Sequence, residues 1–150
     1  MKDPYHLAQR VLRRVSHGAL ATLSVEQDGW PFASAVSLVA QPDGCPAFLI
    51  SGLAEHTRNL RADPRASLLV VDPYAPAEGA PRLSLMGHAE PVTLDALAQA
   101  RFVRLHPAAE QYLSFGDFSF WQLRPQRLRL IGGFGAAGWV TGSRYCHAPA

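Results

Sequence analysis

The strongest constraint on the fold is a run of short segments in which apolar residues alternate with period two, punctuated by tight turns. Residues 18–26 read as a strand, Gln27-Asp28-Gly29 as a turn, and 32–40 as a second strand with β-branched Val36 and Val39. Pro42-Asp43-Gly44 then turns the chain into a third strand over 47–51. Three strands joined by turns of this length form an antiparallel meander, because parallel strands need a crossover of a dozen or more residues. A different period interrupts them. Over 52–64, Leu53, Thr57 and Leu60 recur at helical spacing and Asp63-Pro64 stops the segment.

Strands resume at 65–72 and 82–92, separated by a Pro/Ala/Gly loop over 73–81. Gly87, near the middle of the fifth strand, predicts a bulge or a close backbone approach. Residues 93–106 form an amphipathic helix through Leu94, Leu97, Ala98, Phe102 and Leu105, and Pro107 restarts a short one over 108–113. Two last strands are expected at 118–123 and 127–131. Asp3-Pro4 opens an N-terminal helix within 1–17, with a carboxylate cap before proline. No period is visible after Thr141, so 141–150 reads as a flexible tail.

The 150 residues are enough for one domain with its own core, and 48% hydrophobic with 17% charged residues is a globular balance. Fourteen basic against twelve acidic residues leave a net charge of +2, which demands no polyanionic partner. The basic face of the first helix carries no interleaved aromatics, so no nucleic-acid role is read from it. There is no apolar run long enough to span a bilayer, and the polar N-terminus lacks a signal-peptide core. Cys45 and Cys146 are too few for a disulfide framework, so the expected location is the reducing cytoplasm. The fold class is therefore α+β, an antiparallel barrel of about six strands with flanking helices. A barrel this small fills with side chains, so a large ligand must lie in a groove or at an interface.

Fixed-spacing enzyme motifs are absent: there is no GxSxG, HExxH, GxxxxGK or CxxC. The six histidines show no paired spacing for a metal. What remains is Ser51-Gly52-Leu53-Ala54-Glu55-His56-Thr57-Arg58-Asn59-Leu60, a strand-to-helix junction dense in hydroxyl, imidazole and amide groups. Such a junction suits an anion, and equally Ser51 and Thr57 could cap the helix with the rest left solvated. His17, His88 and His106 are read as structural residues at a helix end, a strand and a helix junction. Trp30, Trp121 and Trp139 are read as core or dimer contacts.

Taken together, residues 29–71 with their HTRN (56–59), the GDF at 116–118 and the GGFG at 132–135 resemble a known family. It is the FMN-binding split barrel of the pyridoxamine 5'-phosphate oxidase-like superfamily. The stretches 82–92, 104–123 and 130–140 are similar to its haem-utilisation branch. The resemblance implies a homodimer with the cofactor at the dimer interface, the FMN phosphate being held by Ser51, His56, Thr57 and Asn59, with Ser34 a further cofactor-binding position. The oxidases proper carry arginine where this chain has Ser34 and a basic pair where it has Glu55-His56, so strict pyridoxamine-phosphate oxidase activity is not expected. For the haem-utilisation branch the matched polar positions are His56, Arg82 and Asp117. There Arg82 would pair with a propionate, Asp117 would act catalytically, and His147 would be the late candidate for the haem iron. The primary expectation is an FMN-dependent oxidoreductase. The alternative is a haem-binding or haem-degrading protein of iron utilisation, and a third is a binding module poor in cofactor.

Overall fold

A computed structural model describes residues 4–132 and 137–147, without the side chains of Arg144 and His147. The strands form because their alternation has one face to bury. In β4 (Arg65–Val71) the inward residues are Ala66, Leu68 and Val70, and in β5 (Arg82–Pro91) they are Leu83, Leu85, Gly87 and Ala89. The other described strands are β1 (His17–Leu23), β2 (Pro31–Ala40), β3 (Pro46–Ser51), β6 (Phe118–Ile131) and β7 (Ala137–Thr141). The helices are α1 (Pro4–Arg14), α2 (Glu55–Ala62), α3 (Ala96–Leu105), α4 (Ala109–Leu113) and α5 (Gly142–His147).

All strand pairs are antiparallel, in the order β3-β2-β1-β4-β5-β6-β7. A further pairing of β3 with β6, Phe48 opposite Trp121, closes the first six into a barrel and leaves β7 outside it. The expected barrel of about six strands is thus present, with one strand added. Its interior is solid: Leu20, Leu38, Phe48, Leu68, Leu83, Leu85, Leu123, Leu128 and Leu130 are all 0% exposed. Helix α1 adds Ala8, Val11 and Leu12 to the same core. A second, smaller cluster lies outside the barrel, where Leu94, Ala98, Phe102 and Ala109 of the α3–α4 region cover Val39, Ala47 and Phe120.

The turns follow their sequence. Asp28 and Gly29 take φ of 53° and 80° at the end of the turn between Ser24 and Trp30, and Gly44 takes 91°. The register of β5 against β6 shifts between Met86 and Gly87, so Gln126 is the extra residue of a bulge. A Cβ on Gly87 would collide with the carbonyl of Arg124, so the bulge and the close approach expected at Gly87 are one feature.

Two expectations are corrected. The strands expected at 118–123 and 127–131 are one fourteen-residue strand, β6. Arg124-Pro125-Gln126 reads as a break because proline cannot donate to a ladder, but the bulge absorbs it. The segment after Thr141, expected as a flexible tail, continues from β7 into α5 over 142–147. Tyr145 anchors that helix, 0% exposed, its hydroxyl donating to the Gly44 carbonyl at 2.8 Å. The Asp3 cap, Gly133, Gly135 and residues 148–150 lie outside the described residues. Among the described residues no helix is long and apolar enough to cross a membrane.

Candidate functional site

The junction between β3 and α2 is built from its own side chains. Ala54, the residue before α2, offers no side-chain cap, so neighbouring groups organise the turn instead. The Ser51 hydroxyl accepts from the Leu53 amide at 3.1 Å, and the Thr57 hydroxyl donates back to the Ser51 carbonyl at 2.5 Å. Asn59 pins the helix to the β1–β2 hairpin. Its Nδ2 donates to Thr22 Oγ1 at 3.0 Å, and its Oδ1 accepts from the Val25 amide at 3.0 Å. Thr57 and Asn59 are each 1% exposed. Of the four residues expected to hold a phosphate, these two are committed to the fold, whereas Ser51 and His56 are only half-buried.

Chain closure brings Asp117 to this junction. The barrel pairs Ser51 with Phe118, Ser51 Oγ donates to Asp117 Oδ2 at 3.0 Å, and the Gly52 amide donates to the Asp117 carbonyl at 2.5 Å. Arg61, one turn beyond Thr57 on α2, has Nη1 3.5 Å from the Gly52 carbonyl and is exposed beside the same pair. From the other side, Ser34 Oγ lies 3.1 Å from His56 Nδ1. Ser34, Ser51, His56 and Asp117 therefore converge, although they are distributed over β2, β3, α2 and the turn before β6.

His56 is the chemically unusual member. Its Nε2 is buried and has no hydrogen-bond partner, and burial pushes its pKa below the ordinary 6.5. The ring is therefore neutral near pH 7, with one nitrogen fixed by Ser34 and the other free.

Arg82 is not brought in. The ladder runs from Ser34 through Leu20 and Leu68 to Leu85, and Arg82 starts β5 beyond Leu85, its guanidinium turned back to the Ala80 carbonyl at 3.2 Å. The expectation for the His147 side chain falls outside the described residues.

A groove of about 440 Å³ opens at the junction, within the range of small-molecule sites. Ser51 and His56 line one side; Phe102, His106 and Tyr112 of the α3–α4 region line the other, with His17 and Phe118 between. His106 Nε2 donates to the Leu38 carbonyl at 3.0 Å, and its ring meets that of His17 edge-on at 5.1 Å between centroids. The groove combines apolar and aromatic walls with three imidazoles. Sequence reasoning reads His17 and His106 as structural and passes over Tyr112 and Arg61. His106 closes α3 and His17 opens β1, and only the docking of α3 on β2 makes them neighbours. A second cavity, of about 420 Å³, lies across β1, β4, β5 and β6, between Leu23, Arg65, Met86, His88 and Arg127.

Comparison with known proteins gives this geometry a setting. The non-canonical heme oxygenase HOZ, chloroplastic, of Arabidopsis thaliana is 33% identical over 137 residues, 90% of this chain and 42% of that one. The chain thus spans less than half the length of that curated relative. A heme binding protein from Mycobacterium smegmatis superposes with a TM-score of 0.88 at 38% identity, over 100% of this chain and 62% of that chain. A putative pyridoxamine 5'-phosphate oxidase from Listeria innocua shares the fold at a TM-score of 0.65 and 14% identity, covering 86% of this chain and 98% of that one. The model of the CREG beta-barrel family matches residues 1–147. The chain belongs to the CREG beta-barrel family, and its closed barrel is that of the split-barrel proteins.

Proposed function

We propose that the chain is a haem-binding split-barrel domain of haem utilisation, with the tetrapyrrole in the groove between the β3–α2 junction and the α3–α4 region. The observation that carries this reading is His56, a neutral imidazole with an unpartnered buried nitrogen at the edge of an aromatic groove. A neutral imidazole is the form that ligates iron, and Ser34 on the other ring nitrogen fixes its orientation as ligating histidines require. Tyr112 and Phe118, with rings stacked at 5.1 Å, offer the flat apolar contact a porphyrin needs. None of the described groove-lining residues is an arginine; Arg61, exposed and held beside Gly52 next to Ser51, is the arginine assigned to a propionate in this reading in place of Arg82.

When bound, haem would supply the redox chemistry of its iron. The residues of this chain would bind and orient it: His56 would hold the metal, Arg61 would pair with a carboxylate, and the Ser51–Asp117 pair would offer a proton donor and acceptor beside it. The names of the two relatives, heme oxygenase and heme binding protein, support the ligand class. Whether the domain carries haem or acts on it is a choice between binding and enzyme function that sustained turnover with a reductant would decide.

The FMN-dependent oxidoreductase expected from the sequence is supported by the split-barrel fold, but Thr57 and Asn59 are engaged internally and Ser34 carries no charge. We infer further that the domain is a homodimer. Leu69, Val71 and Met86, each more than two-fifths exposed on the outer face of β4 and β5, would be covered by a second copy. The two free cysteines suit the cytoplasm. Titrating the purified chain with haemin and with FMN tests the ligand. A saturable shift of the Soret band with one haem per chain, and no saturable quenching of flavin fluorescence, is expected. Saturable FMN binding with only free-haemin spectra would replace haem by flavin.

A further inference from the structure

Outside the groove, two sulfur atoms far apart in sequence lie together. Cys45 follows the Gly44 turn between β2 and β3 and is 3% exposed. Cys146 lies on α5, half-buried, and its Sγ is 3.9 Å from Cys45 Sγ across a sequence separation of 101 residues. The approach is built rather than incidental. The flanking Tyr145 is held on one side by its hydroxyl on the Gly44 carbonyl at 2.8 Å, and on the other by Gln9 Nε2 donating to its carbonyl at 3.1 Å. Helix α5 is thereby clamped between α1 and the β2–β3 turn with its cysteine over Cys45.

We propose that Cys45 and Cys146 form a reversible dithiol–disulfide site that, when oxidised by a peroxide, covalently locks α5 onto the β2–β3 turn. A disulfide needs about 2.05 Å between sulfurs, so from 3.9 Å the two atoms must approach by roughly 2 Å more to bond. The half-buried Cys146 is the sulfur a peroxide reaches. Its thiolate attacks one peroxide oxygen, the O–O bond breaks and hydroxide leaves, giving a sulfenic acid. Cys45 sulfur then attacks Cys146 sulfur and the S–O bond breaks, the departing oxygen taking up the Cys45 proton as water. The hydroxide of the first step recovers the proton that Cys146 gave up. Two thiols lose two electrons, and one peroxide becomes two waters.

The surroundings divide the roles in the same way. The hydrogen bond between the sulfurs holds Cys146 below the ordinary thiol range, and Arg124 of β6 helps; burial and Asp43 of the β2–β3 turn oppose it. That same bond, then burial and Asp43, pushes the Cys45 thiol up and keeps it protonated. Cys146 therefore attacks and Cys45 resolves.

The test uses the full chain with a few equivalents of hydrogen peroxide, mapped by non-reducing peptide mass spectrometry. The expected result is an intramolecular link between the peptides of Cys45 and Cys146, loss of both free thiols, and a thermal midpoint raised by about 10 °C, all reversed by dithiothreitol. In Cys45→Ser the same treatment should leave a sulfenic acid on Cys146 that dimedone traps. Thiols that stay reduced, oxidation of Cys146 to sulfinic acid without a link in the unaltered chain, or disulfides only between chains would each overturn the proposal.

Discussion

His56 Nε2 sets the chemistry at the scale of single residues. Burial lowers its pKa, so between that value and the unfolded 6.5 the unfolded chain binds more protons than the folded one. Stability should then fall as pH drops below about 6.5, and His56→Gln should remove that part of the dependence in denaturant titrations at stepped pH. Haemin affinity should stay level from neutral pH downward and decline only once the ring titrates, because the metal competes with the proton for Nε2. His56→Ala should lower that affinity by at least ten-fold. The sequence reading makes His56 a phosphate anchor; the neutrality of its ring follows from burial beside Ser34 and the groove wall, which no local pattern records. A companion pair separates the arginines. Arg61→Ala should weaken haemin binding several-fold in Soret titrations, whereas Arg82→Ala should leave it unchanged. Equal effects would return the propionate to Arg82.

Elements show which parts of a sequence can be read locally. Strands β4 and β5 and helix α3 were legible because period, turn residues and length agree, and Asp95 caps α3 by accepting from the Ala98 amide at 2.7 Å. Strand β6 was split because Pro125 looks like a stop, and only its pairing with β5 reveals the bulge that carries it. Helix α5 was missed because it is six residues long and owes its stability to Tyr145 rather than to propensity. Two substitutions test these assignments by chemical denaturation. Gly87→Ala should destabilise by about 2 kcal/mol or more, since its Cβ meets backbone that the bulge cannot move. Asn59→Ala should cost about 1–3 kcal/mol by leaving the Val25 amide without its acceptor, removing the amide donor to Thr22 and loosening α2 from the hairpin.

For the whole molecule, closure of β3 on β6 is the step that makes a site. It carries Asp117 to Ser51, and the docking of α3 on β2 brings His106 to His17. The motif at 51–59 located one wall of the groove, and the resemblance at 116–118 located a second group. The facing wall depends on contacts between residues far apart in sequence, so composition and spacing are silent about it. A closed, filled barrel also leaves its outer faces as the surface for a second copy, and sedimentation at micromolar concentration should return twice the chain mass. The central claim is the position of the ligand, and the most direct measurement is the backbone amide NMR spectrum during titration with the diamagnetic zinc protoporphyrin. The account predicts shifts concentrated at Ser37, residues 49–56 and residues 102–112, around His56 and the α3–α4 wall. Shifts confined instead to Leu23, Arg65, Met86 and His88, which border the other cavity, would contradict it.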